Sequence, residues 1–411
     1  MNYIKNKLLG DLKGNAYACI IFEPMWAIFG GMIFFYQPLY MKSLGLDEIE
    51  IGFLNSFITG LMVFTSFIAG PITDRLGRRK TTLLFDLISW SGSMLVWAIS
   101  KNFYFFLLAA FLNSFQKVSY TSWTCLAVED TEEEKRIRFF SLIMIINLAS
   151  GIFTPLAGLL VDKFGIEKAM RLIYFLGFIS MTLMFLGRHK LTCETKIGLQ
   201  LIKKHRNISL KEKIKDYKDS MLYFVTNKIT FLVFLIMLLT YLQNSFLYFQ
   251  PIYLKDVLSM TESETALIPG LSALVNLLIY FGFMDFLTRK GEINSLILGL
   301  FLNMLGIFVF IFAKPQFYIP LVFSTILMAA GNLITITFRE TLWNNVIGKE
   351  ERAKIFSATQ GLIALISIPS GYFSGWLYSI MPIFPFVVSL VLYKMALYLS
   401  FKIKIQFKDK N

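Results

Sequence analysis

Twelve windows of about 20 mostly apolar residues follow one another along the chain, each long enough to cross the roughly 30 Å hydrocarbon layer as a helix. A balance of 56% hydrophobic against 16% charged residues, with 42 Phe in 411 positions, would not keep a soluble chain of this length in solution. The sequence therefore predicts an all-α integral membrane protein with 12 transmembrane helices. Six windows precede a polar break and six follow it, which predicts two pseudo-symmetric six-helix bundles, residues 1–187 and 229–411, joined by a basic loop over 188–228. Phe103 to Ala127 is the fourth window and Ile355 to Ile380 the eleventh. Within the loop Ile208, Leu210, Ile214 and Tyr217 recur at helical spacing, as on an amphipathic helix lying on the inner leaflet; a disordered basic linker is the alternative. The apolar run after the basic amino end contains Glu23 and has no small-residue cleavage pattern, so it reads as the first span rather than a signal peptide.

The formal charge of +13 could indicate nucleic acid in a soluble protein. Here most Lys and Arg fall in alternate loops on one side of the membrane, the bias of cytoplasmic loops. Both termini are thus expected in the cytoplasm of a multi-pass protein of the cell membrane, with the excess charge facing anionic lipid and no nucleic-acid partner. The three cysteines, Cys19, Cys125 and Cys193, make no close-spaced pair, and no disulfide framework or metal site follows.

The halves echo each other. Tyr36-Gln37-Pro38 ending span 1 returns as Phe249-Gln250-Pro251 ending span 7, and Glu134-Lys-Arg136 before span 5 returns as Glu350-Glu-Arg352 before span 11. A weaker echo sets Asp74, Arg78 and Arg79 beside Asp285, Arg289 and Lys290. All three place the same span number in both halves, roughly 210 residues apart, which is a parallel duplication with the expected site between the copies.

Between spans 2 and 3 stands Gly70-Pro-Ile-Thr-Asp74-Arg75-Leu-Gly77-Arg78-Arg79-Lys80. Four cations this close together cannot lie in hydrocarbon, so the segment is a short surface loop, and Gly77 can take a positive φ at little cost. Asp74 is suited to accept hydrogen bonds at a helix amino end. Arg78 is suited to pair with a carboxylate, for which Glu129 and Asp130 at the end of span 4 are the candidates. This segment resembles the loop signature of the major facilitator superfamily, with Ile72 in place of the usual Leu. The resemblance implies two bundles around a central cavity lined by spans 1, 4, 7 and 10. It also implies a gate built from Gly70, Asp74, Arg75, Gly77, Arg78, Arg79, Glu129 and Asp130. The drug and proton antiporters of that family carry a glycine-rich pattern in span 5; this chain keeps Pro155 and Gly158 but has Ser150 and Thr154 at two of the glycine positions, which weakens an antiporter reading.

Ionisable groups inside the spans are few and expensive to bury. Glu23 lies in span 1 beside Pro24, and Lys117 lies in span 4 with Asn113 and Gln116 nearby. Glu23 reads as a proton-titrating carboxylate or as a structural ion pair. Lys117 reads as a cation for an anionic substrate group or as the partner of a carboxylate. Gln243 and Asn244 in span 7, Asn332 in span 10 and Gln360 in span 11 extend the candidate cavity, with helix packing as the alternative for each. Asp86, in a span peripheral in the family, reads as structural, joined to Arg78 or Arg79. No phosphate-binding loop is present, and His189 and His205 both fall in the central loop. No cofactor, metal or enzymatic activity is expected. The expectation is a monomeric secondary transporter of a small-molecule substrate, with H+ as coupling ion. Export of a small amphipathic compound leads, because the cavity reads as aromatic with few charges. Uptake of a sugar or similar nutrient is the alternative, and a non-transporting sensor or scaffold the second alternative.

Overall fold

The computed structural model describes residues 12–204, 227–347 and 352–408. No strand occurs among them, and the helices run in chain order. They are α1 Gly14–Ser43, α2 Glu48–Leu76, α3 Arg78–Asp86, α4 Ser93–Ile99, α5 Phe103–Ser114, α6 Gln116–Val128, α7 Glu133–Ala149, α8 Thr154–Phe164, α9 Ile166–Leu191 and α10 Lys196–Lys204. After the central break come α11 Lys228–Leu247, α12 Gln250–Asp256, α13 Glu262–Gly282, α14 Met284–Arg289, α15 Glu292–Ile311, α16 Tyr318–Val346, α17 Arg352–Ser367, α18 Ser370–Ile380 and α19 Phe384–Lys408. The expected amphipathic pattern at Ile208 to Tyr217 and His205 lie outside the described residues, as does Glu350 of the second echo.

Among the described residues, ten helical stretches are long and apolar enough to cross a membrane, three of them, Arg78–Ile99, Glu133–Phe164 and Lys228–Asp256, joining two of these helices through a short irregular turn. The two expected spans outside these ten are each broken into shorter helices. Phe103 to Ala127 is split at Phe115 between α5 and α6, and Ile355 to Ile380 is split at Ile368 and Pro369 between α17 and α18. A break at membrane depth frees backbone groups that hydrocarbon cannot satisfy, so side chains must reach them. Thr65 does this at the first break, its hydroxyl donating to the Ser114 carbonyl at 2.8 Å. At the second, the Tyr372 N–H donates to Ser56 Oγ at 2.7 Å.

The chain forms two compact units, one of residues 1–45 and 57–208, the other of residues 46–56 and 209–411. In the first unit Tyr40, Trp97, Phe106 and Tyr174 are buried together, with Trp97 stacked on Tyr174 at 5.2 Å between ring centroids. In the same unit α1 closes on the chain just before α8: a Cβ added to Gly31 would lie 1.9 Å from the Ser150 carbonyl oxygen. Thr154 seals that contact by donating to the Gly31 carbonyl at 2.6 Å. The second unit packs α15 on α16 through Gly299, Gly306 and Gly331, each of which leaves no room for a methyl group. Buried Asn303 donates across that seam to Thr335 at 3.2 Å, the small-residue and polar packing by which membrane helices adhere.

The polar loop begins later than the sequence suggests. Helix α9 continues through Arg188 and His189 to Leu191, so both residues stand in a helix and not in the central loop. The apolar run ends near Leu186, but backbone hydrogen bonding does not need apolar side chains, and an inward-turned Arg188 has a buried partner there.

Candidate functional site

The signature loop is one tight turn. Helix α2 ends at Leu76, Gly77 takes φ +85° and ψ 159°, and α3 begins at Arg78. That backbone region is open essentially to glycine alone. The turn buries Arg78, which is 4% exposed. Its Nε donates to both Glu129 oxygens at 3.0 Å and its Nη1 to Asp74 Oδ1 at 3.0 Å, a charge-assisted fork. Asp74 therefore holds the guanidinium and does not cap a helix. The helix amino end is taken by a residue that the sequence reading passed over, Glu194, whose two oxygens accept the N–H groups of Arg78 and Arg79 at 2.9 Å each. A carboxylate there satisfies two orphan donors and meets the positive end of the α3 dipole.

The segment after α9 fastens the turn further. Thr195 donates to Glu129, and the Lys196 N–H reaches Asp130 Oδ2 at 3.3 Å. Arg79 donates through Nη2 to the His189 carbonyl at 2.9 Å, covering the carboxyl end of α9. Arg75 is exposed. Gly70 has no atom within 4 Å of where a Cβ would stand, so close packing does not require it.

In the second unit the same turn recurs at Gly291, φ +83°, leading into α15. Matching the two glycines puts Glu292 where Arg78 stands in the first unit, so the charge echo at Asp285, Arg289 and Lys290 is out of register with the backbone echo. Asp285, Arg289 and Lys290 are exposed, and no ion pair joins them among the described residues. Glu292 accepts a hydrogen bond from Asn345 instead.

The first unit also contains a cavity of about 390 Å³ bordered by Glu23, Gln116 and Lys117. Three local irregularities in the helices shape it. Pro24 removes an N–H from α1 beside Glu23. The break at Phe115 starts a new helix just before Gln116 and Lys117. A π-helical turn, Leu87–Gly92, follows Asp86 and carries Trp90 to the wall; such wide turns are rare and recur at functional sites. The side chain of Asn113 donates to the Ser89 carbonyl inside that turn at 3.0 Å, and Gln116 donates to Asn113 at 2.9 Å. Asn113 is thus spent on the backbone behind the cavity, while Gln116 borders it.

Two charged groups at the wall correct the sequence reading. Asp86 pairs with Arg188, both side chains 5% exposed, and accepts a further hydrogen bond from Ser119. It does not join Arg78 or Arg79. Asp86 and Arg188 both border the cavity with Glu23 and Lys117. A buried aspartate needs a cation, and that rule leads from Asp86 to Arg188 once the sixth span is extended by a single turn past Leu186. The neighbouring contact that brings these groups together is Phe22 against Gly187, where a Cβ would meet the ring at 2.7 Å.

The aromatic side chains Trp26, Phe34, Trp90, Tyr120 and Trp123 form much of the rest of the wall. Trp26 and Trp90 meet edge to face at 5.9 Å. Gln243, Asn244, Asn332 and Gln360 belong to the second unit. Gln243 is buried at 2% exposure beside the Tyr393 hydroxyl, and Asn244 and Asn332 are exposed on α11 and α16. Another polar cluster in that unit centres on Arg339, which donates to Thr240 and to Glu340, each at 2.7 Å.

Known proteins of similar sequence and structure agree with this architecture. A crystal structure of a mutant of the nucleoside transporter NupG matches with a TM-score of 0.74 at 17% identity, covering 96% of this chain and 100% of that one. The peptide transporter POT in complex with sulfate matches at 0.68 and 14% identity, covering 98% and 97%. At such identities these likenesses show the fold alone. An uncharacterized MFS-type transporter, YhjO of Bacillus subtilis (strain 168), is 30% identical over 121 residues, a match that spans 28% of this chain and 30% of that relative. The family model of the Major Facilitator Superfamily matches residues 25–371, and with the helical architecture and the glycine turn this establishes that the chain belongs to the Major Facilitator Superfamily, a multi-pass membrane transporter.

Proposed function

We propose that the chain is a proton-coupled secondary transporter of a small amphipathic solute, working by alternating access, with both termini in the cytoplasm and the cell membrane as its site. Glu23 is the proton acceptor in this reading. The observation that carries it is the set of four ionisable side chains, Glu23, Asp86, Lys117 and Arg188, on one cavity wall among aromatic rings. Asp86 and Arg188 neutralise each other. Glu23 makes no hydrogen bond to another side chain among the described residues, and it is the carboxylate left to exchange a proton. Intramembrane ionisable groups of this kind mark proton and substrate paths. The Arg78, Glu129, Asp74 and Glu194 cluster is the gate that must open and close with the cycle.

The charge inventory bears on direction. Export was the leading expectation while the cavity read as poor in charge. With Glu23 protonated the four groups carry a net positive charge, which favours an anionic solute bound together with the proton and hence symport, the direction of the uptake alternative but with a charged solute in place of a sugar. Antiport export remains the other outcome of the test. In proteoliposomes with an acid exterior, symport of a solute from a panel is expected to give accumulation inside, and antiport to give expulsion. Glu23→Gln is expected to keep counterflow exchange and lose accumulation driven by the pH gradient. Unchanged gradient-driven accumulation in that variant would exclude Glu23 as the proton acceptor.

A further inference from the structure

The geometry points to the chemical class of the solute: a carboxylate anion on a flat apolar body, its carboxylate on Lys117 and its body against the indoles of Trp26 and Trp90. The inference takes the cavity from the transport reading and adds the solute's chemistry. It begins with which charges are already committed. Arg188 is paired with Asp86, lies against the Phe185 ring at 5.2 Å, and shares its field with Glu23. Asp86 is further occupied by Ser119. Lys117 is different. It borders the cavity, is exposed, and no carboxylate pairs with it among the described residues.

A cation in a largely apolar, membrane-embedded wall is costly unless an anion meets it. No described residue pairs with Lys117, and Glu23, the other uncommitted carboxylate lining this cavity, takes up the coupling proton in the transport reading, so a solute is the anion left to meet Lys117. A compact ammonium on a flexible stem suits a point contact with a carboxylate. The rest of the wall says what the carboxylate is attached to. Trp26 and Trp90 stand edge to face at 5.9 Å, and Tyr120 and Trp123 lie tilted at 6.1 Å on the helix that carries Lys117. Aromatic side chains from α1, the π-helical turn and α6 line a cavity of about 390 Å³ and favour a planar apolar body that can pack against them, and a few polar groups amid apolar lining fix its orientation. An organic cation fits less well. It would have to sit beside Lys117 and Arg188, and one of the two carboxylates is already neutralised.

The test uses the full chain in detergent micelles and three probes of one shape: 2-naphthoate, 2-naphthylmethanol and 2-naphthylmethylamine, titrated by calorimetry. The naphthoate is expected to bind at least tenfold more tightly than the amine. Lys117→Met is expected to weaken naphthoate binding at least tenfold and leave the alcohol unchanged, the alcohol thereby reporting that the cavity is intact. Lys117→Arg is expected to retain most of the naphthoate affinity. Equal or tighter binding of the amine, or naphthoate binding untouched by Lys117→Met, would overturn the inference. Naphthoate flux in proteoliposomes separates the two readings. Binding through Lys117 without flux removes the transport reading and keeps the site. Flux of another solute with which naphthoate neither competes nor binds removes the site and keeps transport.

Discussion

At the scale of single residues, the buried pair of Asp86 and Arg188 is the sharpest departure from what the sequence suggests. Its two charges are mutually dependent. Removing the cation alone leaves an uncompensated buried carboxylate, so Arg188→Met is expected to cost about 3 to 5 kcal/mol of stability. Adding Asp86→Asn to it should recover most of that loss. Unfolding by SDS titration in mixed micelles, followed by circular dichroism, measures both, and a single variant as stable as the parent protein would show that the pair is not buried in the membrane protein. Glu23 and Lys117 were legible as candidates because an ion inside an apolar run is conspicuous. Arg188 was not, because it stands just past the run's end, where a sequence alone cannot say whether a helix has stopped.

At the scale of elements, the helix interruptions matter more than the helices. The break at Phe115, the proline at position 24 and the π-helical turn after Asp86 lie beside the side chains that border one cavity. The proline could be read from the sequence, but neither the break at Phe115 nor the π-helical turn weakens the apolar pattern, so the spans were legible and those two interruptions were not. The segment from Thr192 to Lys204 is the other element with unforeseen work. It brings Glu194 to the amino end of α3, the role the sequence reading had given to Asp74. Glu194→Ala should expose the amides of Arg78 and Arg79 and cost about 1 kcal/mol, the usual loss of a helix cap. Hydrogen exchange is expected to quicken at those two amides and not at the α15 amino end after Gly291. Unchanged exchange at Arg78 and Arg79 would mean that Glu194 does not hold the turn.

At the scale of the whole molecule, the two units keep the same glycine turn and differ in what surrounds it. Arg78 is buried in a charged fork, whereas Arg289 is exposed without an ion pair among the described residues. Arg78→Ala is accordingly expected to destabilise by about 3 to 5 kcal/mol, since Glu129 would lose its guanidinium. Arg289→Ala should stay within about 0.5 kcal/mol. Comparable losses for both, measured in the same SDS titration, would argue that the two turns are held equally. The duplication itself was visible in the sequence. Its register at this turn was not, because matching charges and matching backbone turns align the copies differently, and φ at Gly291 is what decides between them.

The sequence by itself determined the class of molecule: helices long enough to cross lipid, a duplicated half, a glycine turn dense in charge, and a family. These follow from local composition, since hydrophobic length and turn chemistry are properties of neighbouring residues. Only the tertiary structure decided which charges are satisfied by partners within the chain. Asp86 could have met any nearby cation, and it meets Arg188; Asp74 could have capped a helix, and Glu194 does. Such pairings depend on distances between residues far apart in the chain, which packing sets and composition does not record.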